Sequence, residues 1–304
     1  MNLFNKQLSS EQDWEAVFQS TSAFTPLTEH ILIKENLPIA HIEILSPGTN
    51  AVFKAGEYVI KIFAPAESKV EQRLPETEIF ATQRANALGI PAPKVITSGV
   101  VEDRYRFAYL IIEYIEGAEL GEAVKTMTDA EKIACGQQLR AITDKMNTPC
   151  ETSNAMDTIH ADYYYHCWDE YPEPFQAERL AYIKSHSYGQ NVFVHGDLYG
   201  GNIILTPQGK LYLIDFADAI LAPKVYEHAR IALESELDPM LLQGYFANYT
   251  DDEITEICLA GLLILDYDPE IIEEILGKPE AFQTLDGLRK KINRFWQKDQ
   301  NGPS

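Results

Sequence analysis

Between Val194 and Phe216 the sequence sets a carboxylate, an amide and a second carboxylate at intervals that suit chemistry. The stretch reads Val194-His195-Gly196-Asp197-Leu198-Tyr199-Gly200-Gly201-Asn202, and thirteen residues after Asn202 comes Asp215, in Leu213-Ile214-Asp215-Phe216. A carboxylate on a loop just after an apolar strand can accept the proton of an attacking hydroxyl. Asn202 and Asp215 offer hard oxygens. Mg²⁺ takes one or two such protein oxygens and leaves its other positions to phosphates and water. The pair therefore describes a metal that arrives together with a nucleotide. Asp, Asn and Gly are also ordinary turn formers, and any one of them alone reads so; the whole set, followed by a strand ending in Asp-Phe, does not. His195 reads as a brace for the loop backbone, not as a catalyst.

These residues need a rigid platform. Residues 192–194, 203–205 and 211–214 read as short strands of one β island, with Thr206-Pro207-Gln208-Gly209 as a hairpin turn. Upstream, residues 11–35 read as helical. Then the apolar period shifts toward two over 41–45, 51–53 and 58–63, with a turn at Pro47-Gly48-Thr49-Asn50. Residues 68–88 carry a helical stripe of Val70, Leu74, Ile79, Ala81, Ala85 and Leu88, stopped by Gly89 and Pro91. Strands follow at 94–101 and 105–114, and Gly117 breaks the pattern. Helices dominate afterwards, at 128–146, at 174–187 and from about 225 to 296. The expectation is an α+β protein in two domains: 1–116, a small sheet with one main helix, and 117–304, a larger and mostly helical body.

The catalytic stretch matches H-x-D-L-x-x-x-N followed by D-F. It resembles the aminoglycoside phosphotransferase and choline kinase family, whose loop reads His-Gly-Asp-Leu with Asn five residues after the Asp. Gly196 in place of Arg separates it from ordinary protein kinases. The resemblance covers about residues 40–236 and is specific mainly at 194–216. It implies a two-lobed protein-kinase-like fold, with Asp197 as catalytic base and Asn202 and Asp215 as Mg²⁺ ligands. It also implies that 1–116 binds ATP, or another nucleoside triphosphate, and that 117–304 carries catalysis and the acceptor. Val59-Ile60-Lys61-Ile62-Phe63 resembles the strand whose lysine reaches the α/β-phosphates; the helical partner of Lys61 would be Glu78, with Glu71 and Glu76 as rivals. Leu110 to Gly117 resembles the adenine-binding hinge, offering the Glu113 carbonyl and the Ile115 N–H. The phosphate loop would be Ser46-Pro47-Gly48-Thr49-Asn50, with Gly48 and Asn50 its characteristic residues. The chain departs from the family where Ala217 follows Phe216, where Tyr199 stands in a position often His, and where Glu227 replaces the Asp that props the loop.

Composition narrows the partners. The net charge of -21 repels phosphate backbones and anionic lipid, which excludes nucleic acid and membrane surface. It leans toward a cationic substrate, although solubility alone accounts for it. Cys135, Cys150, Cys167 and Cys258 show no metal-binding or disulfide spacing, and no apolar run reaches bilayer length; both fit the cytoplasm. Tyr163-Tyr164-Tyr165-His166-Cys167-Trp168, with Tyr171 and Phe175 and interleaved acids, could face a cationic amine, but reads first as a helix packing its aromatics into the core with its acids in water. Acids at Glu234, Glu236, Asp238, Asp251, Asp252 and Glu253 raise the same two readings. The expected activity is transfer of a γ-phosphate to a hydroxyl of a small molecule. The competing expectation is a catalytically silent nucleotide-binding protein of the same fold. A protein kinase is disfavoured, since about nine residues separate Asp215 from the next helix.

Overall fold

The computed structural model describes residues 3–45, 48–70, 75–150, 168, 171–233, 237–264, 273, 277–278 and 283–300. The chain packs as two units: Met1–Glu116 with Asp215–Ala217, and Gly117–Ile214 with Asp218–Ser304.

The first unit is built on an antiparallel sheet. Its strands are β1 (Ile42–Ile44), β2 (Ala51–Ala55), β3 (Tyr58–Ile62), β4 (Val95–Glu102) and β5 (Arg106–Glu113), in the order β1-β2-β3-β5-β4. On β2, Ala51, Phe53 and Ala55 are buried and alternate with half-buried Val52 and Lys54, the period of a strand with one face on a core. The predicted helix over 11–35 is two helices, α1 (Glu11–Glu15) and α2 (Thr21–Lys34). The break falls at Ser20, whose side chain accepts the Ala23 N–H and so starts a new helix. Helix α3 (Pro75–Ala87) follows β3; Glu71 and Leu74 lie outside the described residues. The core under the sheet is aromatic. Phe24 lies 4.9 Å from Phe4, 5.7 Å from Trp14 and 5.5 Å from Phe53, ring to ring. Asp103 ties the chain's start to this core by accepting the Leu3 and Phe4 N–H groups.

In the second unit β6 (Ala118–Glu119) leads into α4 (Leu120–Ala123), α5 (Asp129–Met146) and α6 (Glu173–Ser185). Then come β7 (Asn191–Val194), β8 (Ile203–Leu205), β9 (Leu211–Leu213) and β10 (Ile220–Pro223). Helices α7 (Lys224–Leu233), α8 (Pro239–Tyr245), α9 (Asp251–Leu262) and α10 (Leu285–Gln300) complete it. The expected single β island is in fact two sheets: β6-β8-β9, and β7 paired with β10. Strand β10 escapes the sequence reading because four residues ending in proline resemble a loop.

Helix α7 is anchored from its buried side. Thr143 Oγ1 donates to the Arg140 carbonyl, so it accepts from Tyr245 Oη at 2.9 Å, and Tyr245 in turn accepts from His228 Nδ1 at 2.8 Å. Burial first, then Arg140 and Lys224, pull His228 down to about 3, so the ring is neutral and can take this place in the chain of bonds.

Truncating the centre of the aromatic core tests the first unit. Phe24→Ala removes a ring that is wholly buried, and should cost about 3–5 kcal/mol. Denaturant unfolding followed by tryptophan fluorescence should show the loss as a lower midpoint; an unchanged midpoint would mean the cluster carries no stability.

Candidate active site

Two sets of residues are assembled, one in each unit. In the second unit, β7 ends at Val194 and the chain turns into the loop that carries His195, Asp197 and Asn202. His195 is buried and grips the loop on three sides. Its backbone N–H donates to Glu227 Oε2 at 2.6 Å. Its Nδ1 accepts the Asp197 N–H at 3.3 Å, which leaves the ring proton on Nε2 to donate to the Ile214 carbonyl at 2.9 Å. Gly196 sits at φ +86, and a Cβ there would come within 2.1 Å of the Asp218 carbonyl oxygen. Only glycine lets the two backbones approach this closely.

Both oxygens of Asp197 are fixed. Asn202 Nδ2 donates to Oδ2 at 3.0 Å and to the Asp197 carbonyl at 2.9 Å. Arg230 Nη2 donates to Oδ1 at 3.0 Å. With 32% of its side chain exposed, Asp197 is still reachable. The two acceptors met by Nδ2 fix the amide's orientation, and so leave Oδ1 of Asn202 as an oxygen for a hard cation. Ile214, the residue before Asp215, donates its N–H to the Asn202 carbonyl at 3.0 Å. Glu227 is wholly buried on α7, and burial pushes its carboxyl up to about 7 against the opposing pull of the His195 and Gly196 N–H groups.

In the first unit, Lys61 stands on β3, between Val52 of β2 and Leu110 of β5. Its ammonium is 2.8 Å from Glu78 Oε2 on α3 and 2.9 Å from Asp215 Oδ1. Burial alone would pull the lysine down, but the Glu78 and Asp215 carboxylates outweigh it and hold the group above its ordinary value. Of the two candidate partners among the described residues, Glu78 and Glu76, Glu78 forms the ion pair; Glu71 lies outside the described residues. Asp215 has φ +58, a left-handed conformation that costs a non-glycine residue about 1–2 kcal/mol. Such outliers cluster at functional sites.

The remaining expected residues are also in the first unit. Gly48 is exposed with open space around it, whereas Asn50 is buried and its Oδ1 accepts the Ala64 N–H at 3.2 Å. The Thr49 carbonyl between them accepts from Trp14 Nε1 at 2.9 Å. Ser46 and Pro47 lie outside the described residues. Glu113 is tied to Lys94, its N–H to that residue's carbonyl at 2.9 Å, and half-buried Ile115 follows it beyond the end of β5.

Several residues for which substrate contact is the alternative reading are structural. Tyr163 to Cys167, Glu234 and Glu236 lie outside the described residues. Trp168, Tyr171 and Phe175 are buried against one another, and the Trp168 ring takes the Arg179 guanidinium at 4.9 Å. Arg179 in turn donates twice to the Leu263 carbonyl. Asp238 caps α8 and pairs with Lys132, and Glu253 completes a capping box with Thr250. The residue that the sequence reading missed is Arg230. Its only signal is the Glu227-x-x-Arg230 spacing, which sets two charges on one face of a helix.

Known proteins share this architecture. The family described as "Phosphotransferase enzyme family" (APH) matches residues 48–258. A choline/ethanolamine kinase family protein from Mesorhizobium loti has the same fold at TM-score 0.55 and 15% identity, covering 91% of this chain and 96% of that chain. Choline kinase LicA from Streptococcus pneumoniae aligns at 0.53 and 17%, covering 90% and 98%. A mutant aminoglycoside 2′-phosphotransferase-IIIa in its GDP complex aligns at 0.60 and 17%, covering 90% and 94%. No protein of curated function matches the chain by sequence. Among the described residues, no helix is long and apolar enough to cross a membrane. The fold is therefore protein-kinase-like, and with its family match over residues 48–258 the chain belongs to the phosphotransferase enzyme family.

Proposed function

We propose that this protein transfers the γ-phosphoryl group of ATP, with Mg²⁺, to a hydroxyl of a small molecule in the cytoplasm. The observation that carries the reading is Asp197, a carboxylate fixed at both oxygens yet exposed on one side. In transfer the acceptor hydroxyl gives its proton to Asp197 as its oxygen takes the phosphoryl group, and ADP leaves with the bridging oxygen. His195 and Glu227 hold the loop backbone so that Asp197 does not drift. Lys61 neutralises the α/β-phosphates, and Glu78 orients the ammonium for them. Gly48 and Asn50 would shape the phosphate loop, while the Glu113 carbonyl and Ile115 N–H would hold adenine.

The donor set fits Mg²⁺. Among the described residues no three His, Cys, Asp or Glu side chains form a cage of their own. One amide oxygen on Asn202 and one carboxylate on Asp215, 44% exposed, suit a cation that completes its shell with phosphates and water. When bound, Mg²⁺ would supply charge neutralisation on the phosphates. Related folds have been solved with AMP and with streptomycin and ATP. Choline, ethanolamine and aminoglycosides appear among the names of such neighbours, and they define the acceptors to try: hydroxylated amines, sugars and aminoglycosides.

ADP release from Mg-ATP against that panel tests the reading. Asp197→Asn should lower turnover by about 10²–10⁴-fold while calorimetric ATP binding persists. Full turnover in that variant would remove Asp197 from the role. Glu227 gives a separate pH test. Its carboxyl is raised on folding from 4.5 to about 7. The stability it contributes is therefore present in full below about pH 4.5 and lost as pH rises through about 7, on the order of 3 kcal/mol. Melting temperature should fall from pH 5 to pH 8, and Glu227→Gln should flatten that slope. An identical slope in both proteins would show that Glu227 does not carry it.

A further inference from the structure

We propose that Arg230 is the positioning residue of the transfer step, holding the Asp197 carboxylate in the orientation that receives the acceptor hydroxyl. The inference rests on the reading of Asp197 as the base. A carboxylate held at one oxygen can still turn about its Cβ–Cγ bond. Asn202 Nδ2 holds Oδ2, at 3.0 Å. Arg230 Nη2 holds Oδ1, also at 3.0 Å, and the two contacts together fix the plane of the group.

The guanidinium is itself fixed. Its side chain is 11% exposed, and it lies 5.9 Å from the centre of the Tyr199 ring, within cation–π range. Tyr199 packs so closely over Gly201 that a Cβ there would come within 2.6 Å of the ring. Arg230 therefore stands between the base and an aromatic side chain of the same loop. Helix α7 grips that loop twice from one face: Glu227 takes the His195 N–H, and Arg230, three residues on, takes Asp197. An ion pair of two exposed side chains would contribute little. This pair has one member mostly withdrawn from water and the other on the group proposed to accept the proton. Arg230 also sits in the last turn of α7, where a cation favours the helix dipole. That purely structural role would leave stability, not turnover, dependent on it.

Kinetics separate the two. ADP release from Mg-ATP should be followed with water as acceptor and with any acceptor found by the panel, in Arg230→Gln, Arg230→Lys, Arg230→Ala and Asp197→Asn. A base misplaced by about 1 Å loses about 10²-fold in rate, so kcat of Arg230→Gln should fall by that factor with KM for ATP unchanged. Arg230→Lys should recover part of the loss. Guanidinium ion at a concentration that does not unfold the protein should raise turnover of Arg230→Ala and leave Asp197→Asn silent. If Asp197→Asn abolishes release while Arg230→Gln keeps the original kcat, the positioning role is wrong and the base assignment stands. If neither change alters release, the base assignment falls as well. A loss in kcat that comes with a lower unfolding midpoint, a higher KM for ATP and no guanidinium rescue would reduce Arg230 to a structural residue.

Discussion

A loop that leaves its sheet has no ladder of strand hydrogen bonds, so its peptide groups must find other partners. Much of the second unit around residues 195–202 answers that need. The His195 N–H goes to Glu227, the Asp197 N–H to the His195 ring, and the Asp197 carbonyl to Asn202. Two of these three bonds come from side chains of the loop itself. The third comes from α7, which is why that helix must be rigid. The bonds from His228 through Tyr245 to Thr143 tie α7 to α8 and α5 with neutral groups only. Burial, more than any neighbouring charge, keeps that histidine neutral.

The first unit faces the same problem with charge in place of peptide groups. An ammonium withdrawn from water is costly unless carboxylates meet it. Lys61 is buried on a central strand, and Glu78 and Asp215 meet it at 2.8 and 2.9 Å. Glu78 is buried as well and Asp215 is not. The pair is therefore lopsided: one carboxylate is a fixed support, and the other keeps a face open to solvent. The left-handed backbone of Asp215 belongs to the same arrangement, since a strained residue persists only where its surroundings hold it.

How much of this could be read from residues alone depended on the range of the signal. The strands and helices of the first unit follow from apolar periodicity, which is local, and the β-branched and aromatic run from Tyr105 to Tyr114 falls on β5. The break between α1 and α2 follows from a cap at Ser20, a competing local signal within a longer helical pattern. Strand β10 could not be read, because its pairing with β7 is a contact between distant segments. The same limit applies to the site. The loop motif is contiguous and stands out, whereas Arg230 reaches Asp197 across thirty-three residues and only packing brings them together. The acids at 238 and 253 invited a reading as substrate contacts, but Asp and Glu at such positions are first of all helix caps.

That last point bears on what the overall charge can say about the acceptor. A net charge of -21 suggests a field that draws cations. Screening confines exposed charges to about 8–10 Å at ordinary salt, so what an acceptor meets is set by its immediate neighbours. Among the described residues of the second unit, some of the acids are already neutralised by the protein's own cations. Asp197 is paired with Arg230, and Asp238 is paired with Lys132. The aromatic face of Trp168 already holds the protein's own Arg179. The loop's Asp197 carboxylate and the Arg230 guanidinium of α7 thus lie side by side, a neutral pair with a strong local dipole. On the function proposed above, such a pair would sort acceptors by where they place the hydroxyl relative to the two charges, more than by net charge.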